Sequence, residues 1–236
     1  ITVNGGYDDI DVTGGIQVDT ITLKDVDDAD IRLNTGLGKD VVSITAAAKA
    51  EDISVSGNLG NNGESVTVDG SAATSGIKID LSGLEGYAES TISGGGNGIL
   101  IGGAGDDTFT LHGAASAGAI STFTLTGGLG KDTYAHTAAT GETIMTVTEA
   151  DFNVAEGDNF TGFAAVKVTA AQVVTFLGTI GITADAADIT FADGADATQA
   201  VYMGNSYLLT ATAMADGESA IQLLGVTADV TDHITA

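Results

Sequence analysis

Cysteine, proline and tryptophan are all missing from the 236 residues. Without cysteine there are no disulfides, no thiolate metal ligands and no cysteine nucleophile. A chain of this size outside a cell then needs some other brace. Without proline, slow prolyl isomerisation drops out of folding. Aromatic residues make up 5% of the chain, so a core must be assembled mainly from Val, Ile, Leu and Ala, which suits thin, stacked strands. Basic residues are scarce as well: 7 Lys and Arg face 32 Asp and Glu, for a formal net charge of -25. That excess argues against nucleic acid and anionic membranes as partners and favours a multivalent cation. No apolar run approaches the roughly 20 residues of a transmembrane helix. The chain opens without the basic and then apolar layout of a secretory signal, and Ile1 already lies in a strand-like pattern, as expected of a piece of a longer protein.

What is present is a long series of short apolar alternations. Residues 21–23, 31–33, 41–45, 53–55, 66–68 and 77–81 each alternate apolar and polar side chains between clusters of Gly, Asn and Asp. Period-two runs this short, with turn residues between them, predict the rungs of a parallel β-helix or β-roll. After about residue 145 glycine thins and longer strands are expected over 165–169, 172–177 and 199–212. A hairpin is expected near Met203-Gly204-Asn205, and short helical turns near 184–187 and 211–215. The expected fold class is therefore all-β: an irregular solenoid over 1–145 and a C-terminal β cap over 146–236, since a solenoid must cover its last coil. The mean hydropathy of +0.25 separates this chain from a disordered acidic tail.

Residues 102–110 read Gly-Gly-Ala-Gly-Asp-Asp-Thr-Phe-Thr and residues 127–135 read Gly-Gly-Leu-Gly-Lys-Asp-Thr-Tyr-Ala. Both fill the nonapeptide G-G-x-G-x-D-x-U-x, where U is a large apolar residue. Residues 35–43 miss only the first glycine. Residues 3–11 keep Gly6, Asp8 and Ile10, and residues 93–101 put Gly98 where the aspartate belongs. Glycines bring carbonyl oxygens close together, the aspartate adds a hard anionic oxygen, and the apolar residue two positions on anchors a strand. Because calcium takes 6–8 oxygens, one turn cannot satisfy it and a neighbouring turn must share it. Metal uptake and coil stacking then become one event.

The pattern resembles the RTX (repeats-in-toxin) family of calcium-binding proteins, which Gram-negative bacteria export unfolded through type I secretion machinery. The resemblance implies calcium at Asp40, Asp107 and Asp132, with carbonyls from Gly36, Gly38, Gly103, Gly105, Gly128 and Gly130, and at Asp8. Asp107 and Asp132 lie 25 residues apart rather than nine, so loops interrupt the coil. That irregularity and the Thr- and Ala-rich composition are most similar to RTX-type surface-layer proteins. Residues 151–158 resemble the segment that closes an RTX block, and residues 221–227 resemble the C-terminal region of type I substrates.

The resemblance implies an extracellular, self-associating structural protein of the cell surface. An adhesin or the export domain of an exoenzyme are the alternatives. The three histidines show no metal or triad spacing, and the glycine-rich stretch at 94–98 precedes a strand rather than a helix, so neither an enzyme site nor a nucleotide loop is expected. Asn61, Asn62 and Glu64 read as a loop. Asp25, Asp27, Asp28 and Asp30, together with Asp193, Asp196, Asp216 and Glu218, read as solvated turn faces, with a weak ion site as the less favoured alternative.

Overall fold

A computed structural model describes residues 1–4, 9–26, 30–36, 40–46, 52–58, 65–70, 77–85, 89–95, 98–112, 120–137, 142–148, 152–210 and 219–235. The strands alternate between two sheets. One sheet holds β1 (Thr2–Asn4), β3 (Thr20–Val26), β5 (Val41–Ala46), β7 (Ser65–Gly70), β9 (Glu89–Gly95), β11 (Thr108–His112), β13 (Thr133–Thr137) and β15 (Asn159–Thr161), in that spatial order. The other holds β2 (Asp9–Thr13), β4 (Asp30–Asn34), β6 (Asp52–Asn58), β8 (Ile77–Glu85), β10 (Gly98–Ile101), β12 (Ile120–Thr126) and β14 (Glu142–Thr148), again in sequence order. Pairing along both stacks is parallel, as between β11 and β13 and between β10 and β12. The chain is an all-β, parallel β-solenoid, as the alternation and the turn spacing predict.

The two sheets face each other across one apolar layer. Ile21, Leu23, Val42, Ile44, Val68, Phe109, Leu111, Tyr134 and Phe160 point in from the first sheet. Ile10, Ile31, Leu33, Ile79, Leu100, Phe123, Leu125, Met145 and Val147 meet them from the second. Each fully buried side chain of this size stabilises the fold by about 1.5–3 kcal/mol. Four aromatics gather near the C-terminal end of the solenoid. Phe109 stacks on Tyr134 at 5.1 Å and Tyr134 on Phe160 at 4.9 Å, with Phe152 at 5.2 Å from Phe160.

Beyond β15 the architecture changes. Strands β16 (Thr190–Phe191), β17 (Ala200–Tyr202), β18 (Asn205–Leu209) and β19 (Ser219–Leu224) pair antiparallel in sequence, and β19 then pairs parallel with β14, so the cap extends the second sheet. The β17–β18 connection is the expected hairpin, with Met203 and Gly204 as its two-residue turn. Two strand expectations fail. Residues 172–177 lie within helix α1 (Ala170–Thr179), opened by a capping box between Thr169 and Gln172, and its buried side chains Val173, Phe176 and Leu177 follow helical spacing. Residues 165–169 form no strand, although Val166 and Val168 donate to Leu209 and Ala197 carbonyls. A 3-10 turn at Ala186–Asp188 matches the expected helical turn near 184–187, whereas 211–215 lies outside the described residues.

Buried Gln199 fastens the end of the chain to the cap. It donates to Ser206 Oγ (2.8 Å) and the Ala228 carbonyl (2.7 Å) and accepts from Val230 N–H (2.9 Å). The strand edge of β15 is covered too, by a bridge between Phe160 and Ile234 and by Thr235 N–H donating to the Phe160 carbonyl. Among the described residues no helix is long and apolar enough to cross a membrane.

Candidate functional site

Tight turns along one edge of the solenoid lead from strands of the second sheet into strands of the first. Residues 14–19 lead into β3, 102–107 into β11 and 127–132 into β13; Thr35, Gly36 and Asp40 are the described residues between β4 and β5, and a segment ending at Asp158 leads into β15. Each turn places its aspartate immediately before a strand, and the residue two positions on (Ile21, Val42, Phe109, Tyr134 or Phe160) drops into the core. The apolar residue of the motif thus holds the aspartate at a fixed height on the stack.

The aspartates form two columns. Asp19 N–H donates to Asp40 Oδ1 at 2.8 Å. In the second block Asp107 N–H donates to Asp132 Oδ1 at 2.9 Å, and Asp132 N–H to Asp158 Oδ1 at 2.7 Å. Each carboxylate therefore stitches its own coil to the one before it through a charge-assisted hydrogen bond. Asp40, Asp107, Asp132 and Asp158 are all buried, at 0–1% exposure.

The second carboxylate oxygen is treated in two ways. In three turns it accepts an N–H from the start of its own turn: Gly15 to Asp19 Oδ2 at 2.6 Å, Gly103 to Asp107 Oδ2 at 2.7 Å and Asn153 to Asp158 Oδ2 at 2.7 Å. In the other two the corresponding glycine has turned. Gly36 and Gly128 take φ of 87° and 104°, and a β-carbon on either would lie 2.1 Å from the Gly15 carbonyl oxygen or 2.0 Å from that of Gly103. The preceding coil's carbonyl rests on the bare Cα, which only glycine permits. Gly36 N–H goes instead to Asn34 Oδ1 at 3.0 Å. Asp40 Oδ2 and Asp132 Oδ2 are left buried with no hydrogen-bond partner.

A half-satisfied buried carboxylate is costly when charged. The acidity of Asp132 reflects this: burial pushes its pKa from 3.8 up to about 7, against the Asp107 N–H, while repulsion from Asp107, Asp158 and Asp106 adds to the rise. Burial raises Asp158 also, opposed by the N–H groups of Asp132 and Asn153; Glu156 adds to the rise and His233 counters it.

Asp40, Asp107 and Asp132 stand on this edge with Gly36, Gly103, Gly105, Gly128 and Gly130, as the motif predicts, and a β-carbon on Gly130 would lie 2.4 Å from the Gly105 carbonyl oxygen. Gly38, Asp8 and Gly6 lie outside the described residues, as do Asn61, Asn62 and Glu64. The structure adds two members to the columns. Asp19 belongs to Gly14-Gly15-Ile16-Gln17-Val18-Asp19-Thr20-Ile21, which keeps both leading glycines, the aspartate and the apolar anchor and lacks only the third glycine, a signal legible in the sequence. Asp158 replaces the glycine start with Asn153. Two of the three histidines make main-chain contacts: His136 Nδ1 lies 3.3 Å from the Gly162 carbonyl oxygen, and His233 Nδ1 lies 3.0 Å from that of Asp158. Burial lowers the pKa of His136.

The donors suit a hard cation in kind, being carboxylate and backbone carbonyl oxygens, two of the carboxylate oxygens without any hydrogen bond. Among the described residues no three Asp, Glu or His side chains gather round one point, so carbonyls and water must make up most of a coordination shell. No protein-family model, no curated protein and no solved structure matches this chain.

Proposed function

We propose that this chain is a calcium-organised structural solenoid of a bacterial surface layer, which completes its fold and associates with its own copies when calcium enters the glycine and aspartate turns. The carrying observation is the pair of orphaned oxygens, Asp40 Oδ2 and Asp132 Oδ2. Each is buried in a turn whose glycine exists to bring a neighbouring carbonyl close. Protonation relieves Asp132 Oδ2 at low pH; a bound cation would relieve either oxygen at neutral pH. Asp40 and Asp132 would hold the ion, with carbonyls from the turns of Gly36, Gly103, Gly105, Gly128 and Gly130. Bound calcium supplies positive charge and oxygen coordination, and its binding energy becomes folding energy.

The charge of -25 supports the same reading, because a chain so acidic repels itself at low calcium and compacts when calcium is supplied outside the cell. The resemblance to RTX proteins supports export in the open form through type I machinery of a Gram-negative bacterium. For self-association the support lies on the outer face of the first sheet. Thr2, Thr22, Ser43 and Thr67 stand in register there, as do Thr108, Thr133 and Asn159, an uncharged column in each block. On the second sheet Asp9 lies opposite Asp30. Two acidic copies approach with least repulsion along these uncharged columns.

Chelator-stripped protein titrated with calcium chloride tests both halves. Far-UV circular dichroism should show a cooperative gain of β signal at micromolar to millimolar calcium, and electron microscopy of the loaded protein should show ordered sheets. Full β structure in chelator would defeat the folding switch, and loaded protein that stays monodisperse without sheets would defeat the surface-layer role.

A further inference from the structure

The turn of Asp40 differs from the three glycine-led turns in its opening residue. The motif opens on Gly102 and Gly127 in the second block and on Gly14 in the first turn, but on Thr35 in the turn of Asp40. Register places Thr35 beside Gly14, one coil on, since Thr13 pairs with Asn34 and Gly14 N–H donates to the Asn34 carbonyl. At Gly102 and Gly127 a β-carbon would lie nearest the second carboxylate oxygen of the same turn, 2.2 Å from Asp107 Oδ2 and 2.0 Å from Asp132 Oδ2; at Gly14 it would meet the Thr35 carbonyl oxygen first, at 2.0 Å, with Asp19 Oδ2 at 3.0 Å. Thr35 does carry a β-carbon, at the equivalent position of the Asp40 turn. Its side chain is fully buried, and Thr35 Oγ1, like Asp40 Oδ2, has no hydrogen-bond partner.

Two buried oxygens without partners in one six-residue turn are expensive if nothing lies between them. A glycine there would have avoided one of them. A hydroxyl and a carboxylate offer a hard cation two oxygen ligands of different charge, without the carboxylate repulsion that a second acid would add. We propose that Thr35 Oγ1 and Asp40 Oδ2 are joint ligands of a calcium ion, so that the first block holds its ion through an aliphatic hydroxyl at the position where the Asp132 turn opens on Gly127. This rests on the calcium reading of the turns and assigns the extra ligand within it.

The test is hydrogen–deuterium exchange of the full chain across a calcium chloride titration, read separately at β5 and β13, for the wild type, Thr35→Val and Thr35→Ser. In Thr35→Val the calcium midpoint for protection of β5 should rise on the order of tenfold, while that of β13 stays in place. Thr35→Ser keeps the hydroxyl and should hold the β5 midpoint near the wild-type value. In chelator Thr35→Val should be at least as stable as the wild type, because it trades an unpaired hydroxyl for a methyl group. A β5 midpoint unchanged by Thr35→Val overturns the proposal and leaves the calcium reading standing. So does an equal loss in the serine variant, which would assign the effect to packing. If neither strand gains protection in wild-type protein, the calcium reading itself falls, and the Thr35 ligand with it.

Discussion

A glycine in these turns answers to the coil before it as much as to its own backbone. Gly128 combines a φ of 104° with a carbonyl 2.0 Å from where a β-carbon would stand. Gly128→Ala should therefore cost about 3 kcal/mol or more in urea unfolding, from backbone strain and a contact that rigid backbone cannot relieve. Gly178, inside helix α1 with nothing within 4 Å of a β-carbon, is the control, and Gly178→Ala should stabilise by about 0.5–1 kcal/mol. Asp132 sets a pH dependence. Its folded pKa of about 7 exceeds the ordinary 3.8, so the folded protein keeps a proton that the unfolded chain releases in between. In chelator, stability should be fully present below about pH 4 and fall as the pH rises to 7, by an amount on the order of a few kcal/mol. Asp132→Asn should flatten most of that slope in melting temperatures measured from pH 4 to 8. The remainder belongs to Asp158, whose pKa is raised too.

At the scale of elements, local chemistry explains what was legible and what was not. The hairpin at Met203-Gly204 was readable from a turn signal between apolar runs, yet Met203 takes a φ of 50° that suits asparagine better. Met203 is 81% exposed, so its side chain contributes little packing. Met203→Asn should raise stability by up to about 1 kcal/mol, checked by thermal melting. Helix α1 was misread as a strand because Val173-Val174-Thr175-Phe176 is rich in β-branched and aromatic residues. The capping pair Thr169 and Gln172 was the stronger local signal, and tertiary burial of Val173, Phe176 and Leu177 decided the outcome. In the solenoid the alternation at 21–23, 31–33 and 41–45 left no such conflict, since turns and pattern agreed.

For the whole molecule, the stacked solenoid was readable because each coil pairs with its neighbour only some 17 to 27 residues away in sequence. The glycine and aspartate turns were readable for the same reason. The orphaned oxygens were not: they follow from which glycines turn to positive φ, and that depends on the carbonyl of the coil before, as at Gly36 and Gly128. Nor did any pattern announce that β19 would return to lie parallel beside β14, or that Gln199 would tie down the last residues.

That return has a kinetic meaning. Coil-to-coil closure joins segments about two dozen residues apart, while Asp158 and His233 meet across 75 residues. Loop-closure entropy delays contacts of the second kind. Folding should thus run at two speeds: a quick winding of neighbouring coils, then a slower clasping in which the far end of the polypeptide comes back to lock the last rung. Tension applied through the residues beyond Ile234 would meet the clasp before it met the coils, so the latest contact to form is the earliest to give way.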